Sequence, residues 1–423
     1  MVDPVDMKCR LHCLAALLAT ACLQGDPKSL PLPDVPTQHG VVYVSGSPWE
    51  MVWYDITGSE PKAAGSLDFD NPVHDLAVDS INNRLAVAVG QSVLLMDLDT
   101  PEGGIDAPTV VAELSIPDES PESVLLDPYH HRLDVQTSGH GVFHGDDHYE
   151  TFPGMHIIDI SDTPTVIDSI APDGWPKMAL DPVRQILFAV AGDDKLAVYD
   201  VGQDTFDEMS GSPIHVRDDY PEDGGHIFQI YGPQVDPWSA RFFAERQQGE
   251  KSELIAYQYD EFVPTDGDRY SDGASIRSMR NLATALDMGH DFRDRQVPLT
   301  SGPSALPDPH TGQVMVVAEV SEEWGVLSLD TNLQPGGLCA DEASPVCLFR
   351  MWSEGTPGDP LPANGTACVD SSRKIIAATT REDFSDSSMQ FFQYDELGNL
   401  QPWLTDAGNS LATIDTPYNA ACH

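Results

Sequence analysis

Residues 73–99, VHDLAVDSINNRLAVAVGQSVLLMDLD, decide the fold. Val73–Val78 alternates apolar and polar residues and ends at Asp79. A polar turn, Ser80-Ile81-Asn82-Asn83, leads into Leu85–Val89, a β-rich run closed by Gly90. Val93–Met96 is a third run, closed by Asp97. Period-two alternation bounded by turn residues predicts three consecutive β-strands.

The pattern recurs along the chain. The third strand's signature, an apolar or aromatic run ending in aspartate, occurs at Asp55, Asp97, Asp159, Asp200, Asp260, Asp330 and Asp395. The first strand's signature, a short apolar stretch ending in aspartate and often in Asp-Pro, occurs at Asp79, Asp127, Asp181, Asp236, Asp308, Asp370 and Asp415. The two series interleave with one phase shift. Val41–Val44 reads as a middle strand with no first strand before it, and Leu411–Asp415 reads as a first strand with no sheet of its own. Such spacing predicts an all-β chain, a seven-bladed β-propeller of four-stranded blades over residues 39–423, closed by a C-terminal strand that completes the N-terminal blade. Closure removes the open sheet edges that invite aggregation. The repeated aspartates are expected to be structural, each carboxylate setting the turn that follows its strand.

Asp55-Ile56-Thr57-Gly58-Ser59-Glu60-Pro61 and Met155-His156-Ile157-Ile158-Asp159-Ile160-Ser161-Asp162-Thr163-Pro164 resemble the LVIVD repeat of bacterial exported propellers. Residues 79–99 resemble the YVTN-type repeat of surface-layer and lactonase-like propellers. The resemblance implies an exported seven-bladed propeller. It implies no catalytic residues, because no motif here accepts those of the lactone hydrolases.

The 423 residues carry 68 acidic and 22 basic side chains, a net charge of −46. This field repels phosphate backbones and excludes nucleic acid as a partner. It fits a solvated surface in a salt-rich medium, and leaves room for divalent cations or basic partners. Near the N-terminus, Met7-Lys8-Cys9-Arg10 is a short basic segment and Cys13–Ala21 an apolar run too short to span a bilayer. Leu18-Ala19-Thr20-Ala21-Cys22 resembles the lipobox of bacterial lipoproteins, with Ala19 where leucine is usual. Residues 1–21 are therefore expected to be a signal peptide, with Cys22 lipidated; an ordinary secretory signal cut near Ala21 is the alternative. The Pro-rich residues 22–38 are expected to form an extended tether. The chain is expected outside the cytoplasm, lipid-anchored in the outer membrane or at the cell surface of a bacterium, as a monomer. Cys339, Cys347, Cys368 and Cys422 then suit two disulfides with three connectivities, Cys339–Cys347 being favoured by its short loop.

In a propeller the loops from second to third strand and from fourth to next first strand share one face. Thr137–Pro153, Asp204–Ile227 and Gly289–Pro303 are long insertions of these two kinds. The first, TSGHGVFHGDDHYETFP, holds His140, His144, His148, Asp146 and Asp147; His226 and His290 lie in the others. Imidazoles with carboxylates are a ligand set for zinc or another divalent metal. Gly139, Gly141 and Gly145 predict a loop there rather than a helix. Tyr129-His130-His131 falls in a turn on the opposite face. Asp266–Gly273 alternates carboxylates and glycines in the manner of a calcium loop, although Tyr270 occupies a ligand position. No serine nucleophile elbow, P-loop or dinucleotide fingerprint occurs. Trp53, Trp175, Trp238, Trp324, Trp352 and Trp403 are expected to pack between blades. The expected function is a cell-envelope binding or scaffold module for a protein, peptide or glycan. A metal-assisted hydrolase or lactonase-like enzyme on the histidine-rich face is the alternative, and a purely structural envelope protein a third reading.

Overall fold

In the computed structural model, the described residues are 32–46, 49–98, 108–116, 119–138, 140–144, 148–152, 154–171, 177–191, 195–209, 212–215, 228–248, 251–259, 280–281, 286–287, 305–320, 323–330, 348–350, 367–381, 387–396, 400–403 and 417–423. Among them the chain is all-β, and no helix is long and apolar enough to cross a membrane.

The arrangement is that of a propeller with four-stranded blades. Among the described residues, five sheets have four strands and two have five, with a separate two-stranded hairpin. We label the sheets A to G in chain order and their strands a to d from inside outward. Sheet A joins Pro417–Cys422 (a) to Val41–Gly46 (b), Glu50–Asp55 (c) and Lys62–Asp68 (d). Sheet B is Val73–Asp79, Arg84–Val89, Ser92–Asp97 and Thr109–Ser115. Sheet C is Pro121–Asp127, Arg132–Thr137, Met155–Asp159 and Thr165–Ile170. Sheets D, E, F and G begin at Met178, Phe228, Ala305 and Ala367. In D and E two short strands share the d position.

Burial falls from the inner strands outward. Strand b of sheet B, RLAVAV, is buried along almost its whole length, whereas strand d, TVVAELS, is mostly exposed. An inner strand is covered on both faces by neighbouring sheets, so it reads as a continuous apolar run. The core is accordingly divided into slabs between sheets. Leu133, Val135, Ala86 and Leu95 fill the slab between B and C; Met155, Ile157, Leu187 and Tyr199 fill the one between C and D. Trp53 is buried in the slab between A and B, as expected of it.

The strand-a aspartates share one local job, closing the turn that follows. The Oδ1 atoms of Asp79, Asp127 and Asp181 accept backbone N–H groups two and three residues on. Asp236, Asp308 and Asp370 cap their turns likewise. Four residues after each aspartate the backbone is left-handed: Asn83, His131, Gln185, Ala240, Gly312 and Lys374 have φ of 52°, 50°, 58°, 52°, 69° and 57°. The carbonyls of Asn83, His131, Gln185, Ala240 and Lys374 accept the N–H of Leu98, Ile160, Val201, Tyr259 and Tyr394, just beyond strand c's register partner of the first strand-b position. One turn geometry thus recurs with mostly non-glycine residues at the strained position, which sequence inspection alone does not reveal.

Register corrects the strand-c series in two sheets. Arg84 pairs with Asp97 and Gln313 with Asp330, but Arg241 pairs with Gln258 and Ile375 with Gln393. Asp260 and Asp395 therefore fall two positions past the strand-c aspartate site. Tyr259 and Tyr394 take the place that Leu98, Ile160 and Val201 hold elsewhere. That place points between sheets, so a tyrosine there needs a hydroxyl partner. Tyr259 Oη donates to Asp181 and Tyr394 Oη to Asp308, each at 2.8 Å, tying E to D and G to F. Burial, and then the aspartate charge, push both phenols well up from their ordinary range.

The strand that completes sheet A is also displaced from expectation. Leu411–Asp415 lies outside the described residues, and Pro417–Cys422 pairs with strand b, Val42 opposite Cys422. His423 takes the register place of the aspartate and stacks on His39, centroids 4.5 Å apart. A Cys368–Cys422 disulfide, Cα atoms 5.6 Å apart, ties this strand to strand a of sheet G. Cys339 and Cys347 lie outside the described residues.

Part of the expected tether is held on the propeller. Pro33 accepts the indole N–H of Trp238 at 2.9 Å. Gln38 accepts the Ser371 N–H, donates to the Val369 carbonyl, and its own carbonyl accepts from Arg373. Residues 33–38 thus run along the a–b turns from sheet E to sheet G, because their backbone and amide groups find fixed partners there. Residues 1–31, with Cys22, are outside the described set.

Candidate functional site

Among the described residues, sheet C departs most from the repeat at its b–c connection. Between its strands b and c, where sheet B has only Gly90-Gln91, seventeen positions intervene from Ser138 to Gly154. They form an antiparallel hairpin, His140–His144 with His148–Phe152, rather than the loop that the glycines suggested. Val142, Phe143, Tyr149 and Thr151 are β-formers, and their alternating ladder outweighs isolated glycines. His144 pairs directly with His148, while His140 pairs with Phe152 at the other end. Four residues of extended strand separate His140 from His144 by roughly 13 Å of backbone. Asp146, Asp147, His226, His290 and the Asp266–Gly273 segment lie outside the described residues. Among the described residues no group of three or more His, Cys, Asp or Glu is arranged to hold a metal. Tyr129–His131 lies in the a–b turn at the far end of strand b, as expected, with His130 Nδ1 3.1 Å from Asp127.

The base of the hairpin is a buried polar network that the sequence reading did not single out. Thr137 ends strand b and Gly154 precedes strand c; Thr137 N–H donates to the Gly154 carbonyl and Gly154 N–H to Thr137 Oγ1. The Thr137 hydroxyl donates to Glu119 Oε2, from the connection between sheets B and C. His156 Nε2 lies 2.8 Å from the same Glu119 oxygen. His156 Nδ1 lies 2.8 Å from Ser169 Oγ, across the c–d ladder. His156 is 8% exposed, whereas Ser169 is exposed. A Cβ on Gly154 would stand 2.7 Å from both Glu119 Oε2 and His156 Nε2, so only glycine leaves room for the contact. The sequence does hold a signal. Three residues before the strand-c aspartate the chain has Val52, Leu94 and Ala197, but His156 in sheet C.

A second departure lies inside the sheet. Seven residues after the strand-a aspartate stand Ala86, Phe188, Phe243, Met315 and Ala377, all 0% exposed; sheet C has Asp134 there, also 0% exposed. Its neighbour two residues back, Arg132, is 1% exposed on its side chain. Arg132 donates to Asp127 Oδ2 at 3.0 Å and to the Val201 carbonyl of sheet D. Its Nε is 3.5 Å from Asp134, too poorly aligned for a hydrogen bond, and both Asp134 oxygens lack hydrogen-bond partners. Burial pushes the Asp134 carboxyl up to about 7; the Arg132 charge opposes this, and Asp127 and Asp204 reinforce it. At the opposite end of the sheets, a groove of about 300 Å³ between B and C is lined by Leu95, Val111, Ala112, Ile160, Asp97 and Asp162 among others.

No family model and no curated protein matches the chain. Solved structures do. A Bacteroides fragilis protein with a provisional 6-phosphogluconolactonase assignment is 10% identical, with a TM-score of 0.53 over 90% of this chain and 97% of that one. The hydrazine synthase of Kuenenia stuttgartiensis is 12% identical, with a TM-score of 0.51 over 86% and 97%. A functionally unknown protein from Desulfotomaculum acetoxidans is 10% identical, with a TM-score of 0.51 over 90% and 98%. At such identities the likeness concerns the fold alone, and that fold is the β-propeller.

Proposed function

We propose that the chain is a seven-bladed propeller of the LVIVD and YVTN repeat type, exported and held through lipid on Cys22, whose hairpin-bearing face binds a protein, peptide or glycan of the cell envelope. The observation that carries this reading is the asymmetry of the two faces. On the a–b side, the turns are closed by their own aspartates, and residues 33–38 lie against Trp238 and Arg373. On the other side, sheet C raises a hairpin on a base whose polar atoms are hydrogen-bonded to one another. A projecting element on a rigid base can bind without a large ordering cost. Residues 33–38 reach the propeller on the a–b side, so an anchor upstream of them would leave the hairpin side facing away from the membrane. The net charge of −46 favours a neutral or basic partner.

The test replaces residues 140–152 with a Gly-Gln turn copied from sheet B and compares capture from envelope extract with that of the full chain. Loss of a specific partner with an unchanged melting temperature is expected. An identical partner list would overturn the reading. Globomycin-sensitive processing tests the anchor at Cys22. The metal-assisted hydrolase or lactonase alternative demands near-stoichiometric zinc in untagged protein, lost on substituting His140, His144 and His148; metal-free protein would end it.

A further inference from the structure

We propose that Ser169 is an acyl-accepting nucleophile activated by His156 and oriented through Glu119, an activity beyond the binding role. Ser169 sits directly opposite His156 in the c–d ladder of sheet C. Its Oγ lies 2.8 Å from His156 Nδ1, and His156 Nε2 lies 2.8 Å from Glu119 Oε2. An ionised carboxylate only accepts, so the proton of the neutral imidazole resides on Nε2 and points at Glu119. Nδ1 then carries the lone pair and accepts the Ser169 hydroxyl hydrogen. That is the order of nucleophile, base and orienting group required of an activated serine.

The three groups differ in burial in the sense the chemistry needs. His156 is held in the sheet with Glu119 behind it, and Ser169 faces solvent, where an acyl group can reach it. The pairing is particular to this sheet. The matching ladder position is Val52 opposite Ser66 in sheet A and Leu94 opposite Glu113 in sheet B. A clamp for the hairpin base is already complete with Thr137, Gly154 and Glu119.

In the step proposed, Ser169 Oγ attacks the carbonyl carbon of an ester and its proton passes to His156 Nδ1. The C–O bond of the leaving alcohol breaks, and the alcohol departs with that proton. Water then attacks the acyl-serine, again giving its proton to Nδ1; the carboxylic acid is released and Ser169 regains its hydrogen. The substrate class is esters with neutral or cationic groups, since the chain's charge of −46 repels anions.

The experiment exposes the full chain to p-nitrophenyl acetate and, separately, to a fluorophosphonate, and locates the adduct by peptide mass spectrometry. One adduct per chain, on Ser169, is expected. Ser169→Ala abolishes it with an unchanged melting temperature, because the side chain is exposed. Glu119→Gln and His156→Gln slow adduct formation by roughly 100-fold or more. Because His156→Gln can perturb folding, Ser169→Cys supplies a second arm: its thiol should alkylate with iodoacetamide at least 10-fold faster than the same cysteine in a Glu119→Gln background. Absence of an adduct on Ser169, or equal cysteine reactivity in the two backgrounds, overturns the proposal.

Discussion

Sheets B and C are neighbouring copies of one repeat, and they divide the work of the molecule. Their strand-a aspartates, left-handed turn residues and strand-b arginines match: Arg84 donates to the Ile160 carbonyl of the next sheet, and Arg132 to that of Val201. Beyond these shared parts, B is apolar within and abrupt at its b–c turn. C has Asp134 and Gln136 where B has Ala86 and Ala88, a hairpin where B has Gly90-Gln91, and His156 where B has Leu94. The comparison teaches that the repeat fixes turns and inter-sheet latches, while the positions between them tolerate a change of chemistry. Such changes lower stability, so their concentration in sheet C among the described residues is the pattern expected where a sheet carries a site.

The sharpest way to break the comparison is to move C's chemistry into B. Ala86→Asp places a carboxylate at a fully buried site, while Arg84 is already engaged with Ile160. A loss of about 5 kcal/mol, or failure to fold, is expected in denaturant melts. In sheet C itself, Asp134→Asn should stabilise the protein at high pH. The folded carboxyl titrates near 7 against an ordinary 3.8. A raised folded value means its contribution is complete below about pH 4 and is lost as pH rises through 7. Asn therefore gains up to about 4 kcal/mol at pH 8 and nothing at pH 4. The charged groups facing the site are Arg132, Asp127 and Asp204. A flat difference between wild type and variant across this range would refute the account.

Two smaller tests sharpen it. Gly154→Ala drives a methyl group into Glu119 and His156 and should cost about 2–3 kcal/mol. Gly90→Ala, at the same end of sheet B, meets the Asn71 side chain and a φ of 55°, for about 1–2 kcal/mol. A larger loss at Gly90 than at Gly154 would mean that the network at the hairpin base holds little. Smallest is the shared turn: Lys374→Gly should stabilise by up to about 1 kcal/mol, since the residue is left-handed, whereas Ala240→Gly also empties a buried methyl site and should gain less. Thermal melts distinguish these from neutral changes.

The strand pattern, the interleaved aspartates and the all-β propeller class were legible because period-two alternation and turn chemistry are local properties. So was the turn-closing role of the strand-a aspartates, whose Oδ1 atoms accept N–H groups within three residues of themselves. The strand-c register near Asp260 and Asp395 was not legible, because Tyr259 and Tyr394 answer to carboxylates on another sheet. Nor was the hairpin within Thr137–Pro153 legible, because three glycines weigh more in composition than in a paired ladder.

By itself, then, the sequence determined what each segment could do with its nearest neighbours: extend, turn, or carry charge. Tertiary structure alone decided which distant groups meet. Glu119, His156 and Ser169 are separated by 37 and 13 residues, and they converge because sheet packing and ladder register bring them together. Asp134 acquires its raised pKa only when sheet D covers it. Pairing at a distance depends on register, and a one-residue slip in register reverses which side of a strand each residue faces.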